Sequence, residues 1–132
     1  MKKLIILTVA VLSISACSVG PNQIRSAGVD QVFSSQKDAK DVASCVKNKW
    51  SAWVNKFDDW GVVNSVEIAD GYSVSAQSYG TDPEDGSGKK PNTVNYLADI
   101  ENKDSGSVTK LYQYFSLNLG DNPFVAAAAE CQ

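Results

Sequence analysis

Apolar residues recur at a helical spacing through the middle of the chain. Ala39, Val42, Val46, Trp50, Trp53 and Phe57 fall within one narrow arc, with Cys45 at its margin. Lys40, Asp41, Lys47, Asn48, Asn55 and Lys56 lie mostly outside that arc. Such a stripe belongs to an amphipathic helix with one buried face. Just upstream, Ser35-Gln36-Lys37-Asp38 has the form of a capping box with Asp in place of the usual Glu. The pattern predicts a helix of about 22 residues ending at Gly61, with Trp50, Trp53 and Phe57 as its core-facing ridge.

From residue 62 the period drops to two. Val62, Val66 and Ile68 share one face, opposed by Val63, Ser65 and Glu67. After Asp70-Gly71, Tyr72, Val74 and Ala76 alternate with Ser73, Ser75 and Gln77. A two-residue Asp70-Gly71 loop would set Glu67 opposite Val74. A three-residue loop with Gly71 left-handed pairs Ile68 with Tyr72 and Val66 with Val74, and the apolar pairing favours that register. Residues 80–93 read as a long polar loop with three Gly and two Pro. Loops of that length are uncommon in compact domains.

A third strand is expected over about 94–101, where Val94, Tyr96, Ala98 and Ile100 alternate with Asn95, Leu97 and Asp99. A fourth is expected over about 107–117, with Leu111, Phe115 and Leu117 on one face and Val108, Tyr112 and Tyr114 on the other. Asn122-Pro123 then opens a short helix, Asn as cap and Pro at the first helical position. The fold expected is α+β: an N-terminal amphipathic helix, a four-stranded antiparallel sheet of two hairpins, and a short C-terminal helix on the same sheet face.

The first residues carry a different signal. Lys2-Lys3 precede an apolar run from Leu4 to Leu12, and Leu12-Ser13-Ile14-Ser15-Ala16-Cys17 follows. A run of nine residues is too short to span a bilayer, which needs about 20 apolar ones. A basic start, a short apolar middle and a small-residue end read as a secretory signal peptide, with an ordinary cleaved signal and an incidental Cys17 as the simpler alternative. The segment resembles the lipobox of bacterial lipoprotein precursors. Ile14, Ser15 and Ala16 match its branched aliphatic, small residue and Ala or Gly before the cysteine. The resemblance implies cleavage after Ala16 and lipidation of Cys17, which would anchor the chain in a membrane. Ser18, rather than Asp, implies sorting to the outer membrane, facing the periplasm, in a Gram-negative host. On this reading 1–16 is a cleaved signal peptide, 17–34 a flexible tether containing Gly20, Pro21 and Gly28, and 35–132 a single α+β domain.

Charge narrows the partners. Twelve basic residues less Lys2 and Lys3, against fifteen acidic ones, leave the mature chain at −5. Arg25 is the only arginine. An acidic chain is a poor binder of nucleic acid, whose phosphates call for clustered Lys and Arg. The chain contains no histidine, which removes the commonest neutral-pH general base and the commonest zinc ligand.

With Cys17 assigned to lipid, Cys45 and Cys131 remain. In an exported protein such a pair most simply forms one disulfide, with two buried free thiols as the rival. A catalytic thiol would lack a histidine partner. Asp82, Glu84 and Asp85 cluster beside Gly86 but do not follow a calcium-loop spacing, and read as a solvated turn offset by Lys89 and Lys90. Asp58-Asp59 is unfavourable at a helix C-terminus and reads as fraying before Gly61. No cofactor, metal or small-molecule substrate is indicated, and nothing nominates a catalytic serine or carboxylate pair.

The expected outer sheet face carries Tyr112 and Tyr114, joined by Leu97 and Tyr79. Tyrosine is enriched at interfaces because it joins a large apolar body to a polar tip; it is also common in strands by propensity alone. Past residue 17 the chain resembles small bacterial and phage lipoproteins of unknown function. The likeness rests on Cys45 in the first helix, Asp70-Gly71-Tyr72-Ser73-Val74, Tyr96-Leu97-Ala98-Asp99-Ile100 and the terminal Cys131-Gln132. It carries over no catalytic residue. The function expected is a membrane-anchored, non-catalytic module that binds another envelope protein, of the inhibitor, immunity or receptor-blocking kind. A structural accessory of an envelope assembly is the alternative, and a small carboxylate-based hydrolase a third.

Overall fold

The computed structural model describes residues 19–81, 89–114 and 122–132. In chain order these form α1 (Pro21–Ser26), β1 (Gln31–Ser35), α2 (Ala39–Val54), β2 (Gly61–Ile68), β3 (Gly71–Thr81), β4 (Lys89–Lys103), β5 (Gly106–Gln113) and α3 (Pro123–Glu130). The strands make one antiparallel sheet in the order β1-β5-β4-β3-β2. The fold is α+β, but the expected four-stranded sheet is corrected to five strands.

The fifth strand comes from the stretch read as a tether. Asp30 N–H donates to Leu111 O at 2.8 Å, and β1 then runs along β5 with Phe33 opposite Thr109. Just before it, Pro21 occupies the first turn of α1, and the Gln23 side chain accepts from Gly20 N–H at 2.8 Å. Two short elements thus precede the amphipathic helix, which is not the N-terminal element. Six-residue helices and five-residue strands are too short to show a period, and tertiary contact decides them.

The main core lies between the sheet and α2 with α3. Ala39, Val42, Ala43, Val46, Trp50 and Val54 pack on Val74, Ala76, Ala98, Ile100 and Leu111, with Phe124, Ala128 and Cys131 from α3. Phe124 is its hub. Its ring stacks on Tyr96 at 4.2 Å between centroids and lies edge-on to Trp50 and Trp53 at 5.6 and 4.7 Å. Trp50 is fully buried, and its indole N–H donates to Phe124 O at 3.0 Å. Asn122 caps α3 by accepting from Phe124 and Val125 N–H, as the Asn-Pro pair suggested.

Helix α2 is shorter than expected at both ends. Asp38 is its N-cap, accepting from Asp41 N–H at 2.9 Å, while Ser35 still belongs to β1. At the other end the chain turns after Val54, and Asp59 takes φ 69°. Phe57 therefore leaves the ridge; it is half exposed and lies against Trp53.

The first hairpin closes one residue earlier than expected. Ile68 pairs with Gly71 across Ala69-Asp70, which sets Val66 opposite Ser73 and Ser65 opposite Val74. A one-residue slip turns every side chain of a strand to the other face. Val63 therefore packs, partly buried, against the core, and Val66 is 61% exposed. Gly71 is needed for a different reason from the one expected: a Cβ there would strike Ile100 O on the neighbouring β4. Strands β3 and β4 also continue past Ser78 and before Val94, so both ends of the expected 80–93 loop are strand, and 82–88 lie outside the described residues. Asp82, Glu84, Asp85, Phe115 and Leu117 also lie outside them.

Cys45 and Cys131 form a disulfide with Cα atoms 5.7 Å apart, closing an interval of 86 residues between α2 and the end of α3. A loop that long stabilises by about 4–5 kcal/mol in the chain-entropy model.

Two outcomes follow for urea unfolding. Val66→Lys is expected to change stability by no more than about 0.5 kcal/mol, whereas Val63→Lys, which turns a charge into the core, costs at least about 2 kcal/mol; the reverse order would restore the other register. Reducing the disulfide is expected to lower the unfolding free energy by about 2–5 kcal/mol, and an unchanged midpoint would show that it contributes nothing.

Candidate functional site

The face of the sheet turned away from α2 is where a site can be built. The register sends Ser73, Ser75 and Gln77 of β3, Leu97 and Asp99 of β4, and Lys110 and Tyr112 of β5 to this side. Helix α1 lies across part of it. Ile24, 1% exposed, packs on Val94, Leu97 and Tyr112, with Val19 beside them. Val94 N–H donates to Val19 O at 2.8 Å, tying the start of the segment to β4.

A polar clasp holds the other end of α1. Arg25 Nε and a terminal guanidinium nitrogen donate to the two Asp99 oxygens at 2.7 and 2.8 Å. Ser73 Oγ donates to Asp99 Oδ1 at 2.7 Å and accepts from Arg25 at 3.1 Å. The Asp99 side chain is only 9% exposed, so its charge depends on these donors. The hydrogen bond that Arg25 donates to Asp99 raises the Arg25 pKa above its ordinary value, outweighing partial burial. Three donors thus hold this carboxylate, two on Oδ1 and one on Oδ2.

This arrangement changes the fate of the expected tyrosine face. Tyr112 and Leu97, at 7% and 1% exposure, are floor residues under α1 and not an open surface. Tyr114 is exposed, its N–H donating to Asn95 O. Tyr79 is half-buried opposite Pro91, its N–H donating to Trp60 O. The four residues do not come together as one exposed patch. The reason is α1, whose single apolar anchor Ile24 sits in a segment without a period.

Among the described residues, this face carries a groove of about 440 Å³ between α1 and the edge strand β2. Leu97 and Ser75 line its base, Pro21 and Arg25 one wall, and Asn64, Val66 and Ile68 the other. Its chemistry is aliphatic with neutral amides and hydroxyls, since Asp99 already balances Arg25. A lining of that kind suits an uncharged, extended chain better than an anion or a metal. Among the described residues β2 pairs with β3 alone, so its outer edge lies open beside the groove. Glu67 is its only charge, and it has no Lys or Pro of the kind that blunts exposed edges.

Sequence reasoning missed Ile24, Arg25, Ser73 and Asp99. One signal was available: Arg25 is the sole arginine, and it follows Gly20-Pro21, a helix start. Among the described residues, no three His, Cys, Asp or Glu side chains group so as to hold a metal ion. No family model matches the chain, and neither a curated protein nor a solved structure matches it.

Burial, reinforced by the nearby Asp99 charge, pushes the Tyr112 phenol above its ordinary pKa near 10. The folded protein thus holds this proton longer than the unfolded chain does. Its contribution to stability is complete below pH 10 and falls as the pH climbs through the folded value. Urea unfolding between pH 9 and 11 is expected to show that decline, and Tyr112→Phe to flatten it. An equally steep decline in the variant would remove Tyr112 as its source.

Proposed function

We propose that this protein is an exported lipoprotein, anchored through Cys17 in the outer membrane and facing the periplasm, that works as a non-catalytic protein-binding module. The anchor is supported by Ile14-Ser15-Ala16-Cys17 after a short apolar run, and by the Cys45–Cys131 disulfide, which suits an oxidising compartment. The observation that carries the binding role is the groove beside the unblunted edge of β2. An extended segment of another envelope protein can add along that edge through its backbone, its apolar side chains reaching Val66 and Ile68. Inhibitor, immunity and receptor-blocking proteins share this logic, in which a masked surface on the partner is the whole effect.

A structural accessory role in an envelope assembly is the second reading, favoured by the same open edge if several neighbours use it. Photo-crosslinking in intact cells separates the two. A crosslinker at position 66 or 75 is expected to trap one protein in fixed ratio, while one at position 47 on α2 traps none. Several adducts from both faces would favour the accessory, and no position-dependent adduct would remove the groove as a site.

Radiolabelled palmitate tests the anchor. The unaltered protein is expected to take up label and Cys17→Ser to lose it. An unlabelled wild-type protein would contradict the anchor directly.

A further inference from the structure

We infer that the outer sheet face, the one carrying α1, is held flat against the lipid bilayer, with no tether between anchor and domain. The inference rests on lipidation of Cys17 and adds to it the orientation of the domain. Its argument is the length of chain between the lipid and the first fixed residue. Val19 is bonded to Val94 N–H and packed beside Ile24. Only Ser18 separates it from Cys17. Two residue steps span at most about 7 Å, so the acylated cysteine stays within that distance of the sheet.

The attachment point cannot swing away while α1 is docked. Ile24 is buried against Val94, Leu97 and Tyr112, and Arg25 is clasped by Asp99 and Ser73. A flexible tether of 17–34 would have let the domain roam roughly 20–25 Å from the lipid. The observed start of the fold withdraws that freedom.

The chemistry of the face agrees with its position. Exposed apolar side chains on its edges include Val32 at 59% and Val66 at 61%; they pair with Lys110 and Ser73, which point the same way. Between them the surface of α1 offers Asn22, Gln23 and Ser26, all exposed, uncharged and able to hydrogen-bond headgroups. The partner that fits is therefore a zwitterionic lipid surface, not a strongly anionic one. The opposite face presents the exposed Lys40, Ser44, Lys47 and Asn48 of α2, and would look into the aqueous space. The groove lies on this same face, so a partner segment would enter it from the open edge of β2, along the membrane plane, displacing lipid from Val66.

Spin labels test the orientation on the full lipidated protein in phosphatidylcholine nanodiscs. Labels go on Ser26→Cys and Val32→Cys of the outer face, and on Ser44→Cys and Lys47→Cys of α2. A paramagnetic lipid headgroup is expected to relax the first pair several-fold more strongly than the second. Equal relaxation at all four, in protein that stays on the nanodiscs, would overturn the orientation and leave the anchor standing. Protein that does not bind nanodiscs would overturn the anchor and the orientation together. A 20-residue Gly-Ser insertion after Ser18 leaves the domain intact and is expected to abolish the difference between the faces. A difference that survives the insertion would show that the short leash does not impose it.

Discussion

The pairing of Arg25 with Asp99 decides what this molecule can present to its surroundings. Two short N–H···O contacts and the Ser73 hydroxyl satisfy a carboxylate that is nearly out of water. Without them Asp99 would be a buried, uncompensated charge in the middle strand of the sheet, which is strongly destabilising. With them, six residues too few to make a helix alone become a fixed part of the domain. Ile24 adds an apolar contact at the same place. The sheet is then covered on both faces, by α2 and α3 on one side and by α1 over part of the other.

That cover has consequences in both directions along the chain. Upstream, it brings the first fixed residue to within two positions of Cys17. Downstream, it lets the chain enter β1 and close the sheet against β5. Among the described residues, the outer face keeps a groove beside β2 and open strand edges at β1 and β2. Helix α1 thereby takes Val94, Leu97 and Tyr112 out of a sheet face that is otherwise mainly polar.

Much of this was legible before any coordinates. The α2 stripe, both hairpins, the Asn122-Pro123 helix start and the pairing of Cys45 with Cys131 all follow from period, capping chemistry and cysteine count. The misses share a physical cause. Gly71 was read as a turn glycine because Asp-Gly usually marks one, yet its lack of a Cβ serves the close approach of Ile100 O. That choice moved the register by one and exchanged the roles of Val63 and Val66. The segment 17–34 was read as a tether because Ile24, Val29 and Val32 follow no period. Its structure depends on a partner 74 residues away in the chain, Asp99, and no local pattern encodes such a contact. Tyr112 and Leu97 were placed on an open face for the same reason, since nothing local announced what would lie over them.

The account depends on residues 19–35 being part of the folded domain. Hydrogen exchange at two amides tests this most directly: Val94 N–H, bonded to Val19 O, and Asp30 N–H, bonded to Leu111 O. Both are expected to exchange slowly, with protection approaching that of the Ile100 amide in the middle of the sheet. Exchange of both at the rate of an unstructured chain, with Ile100 still protected, would return this segment to a loose tether and contradict the account.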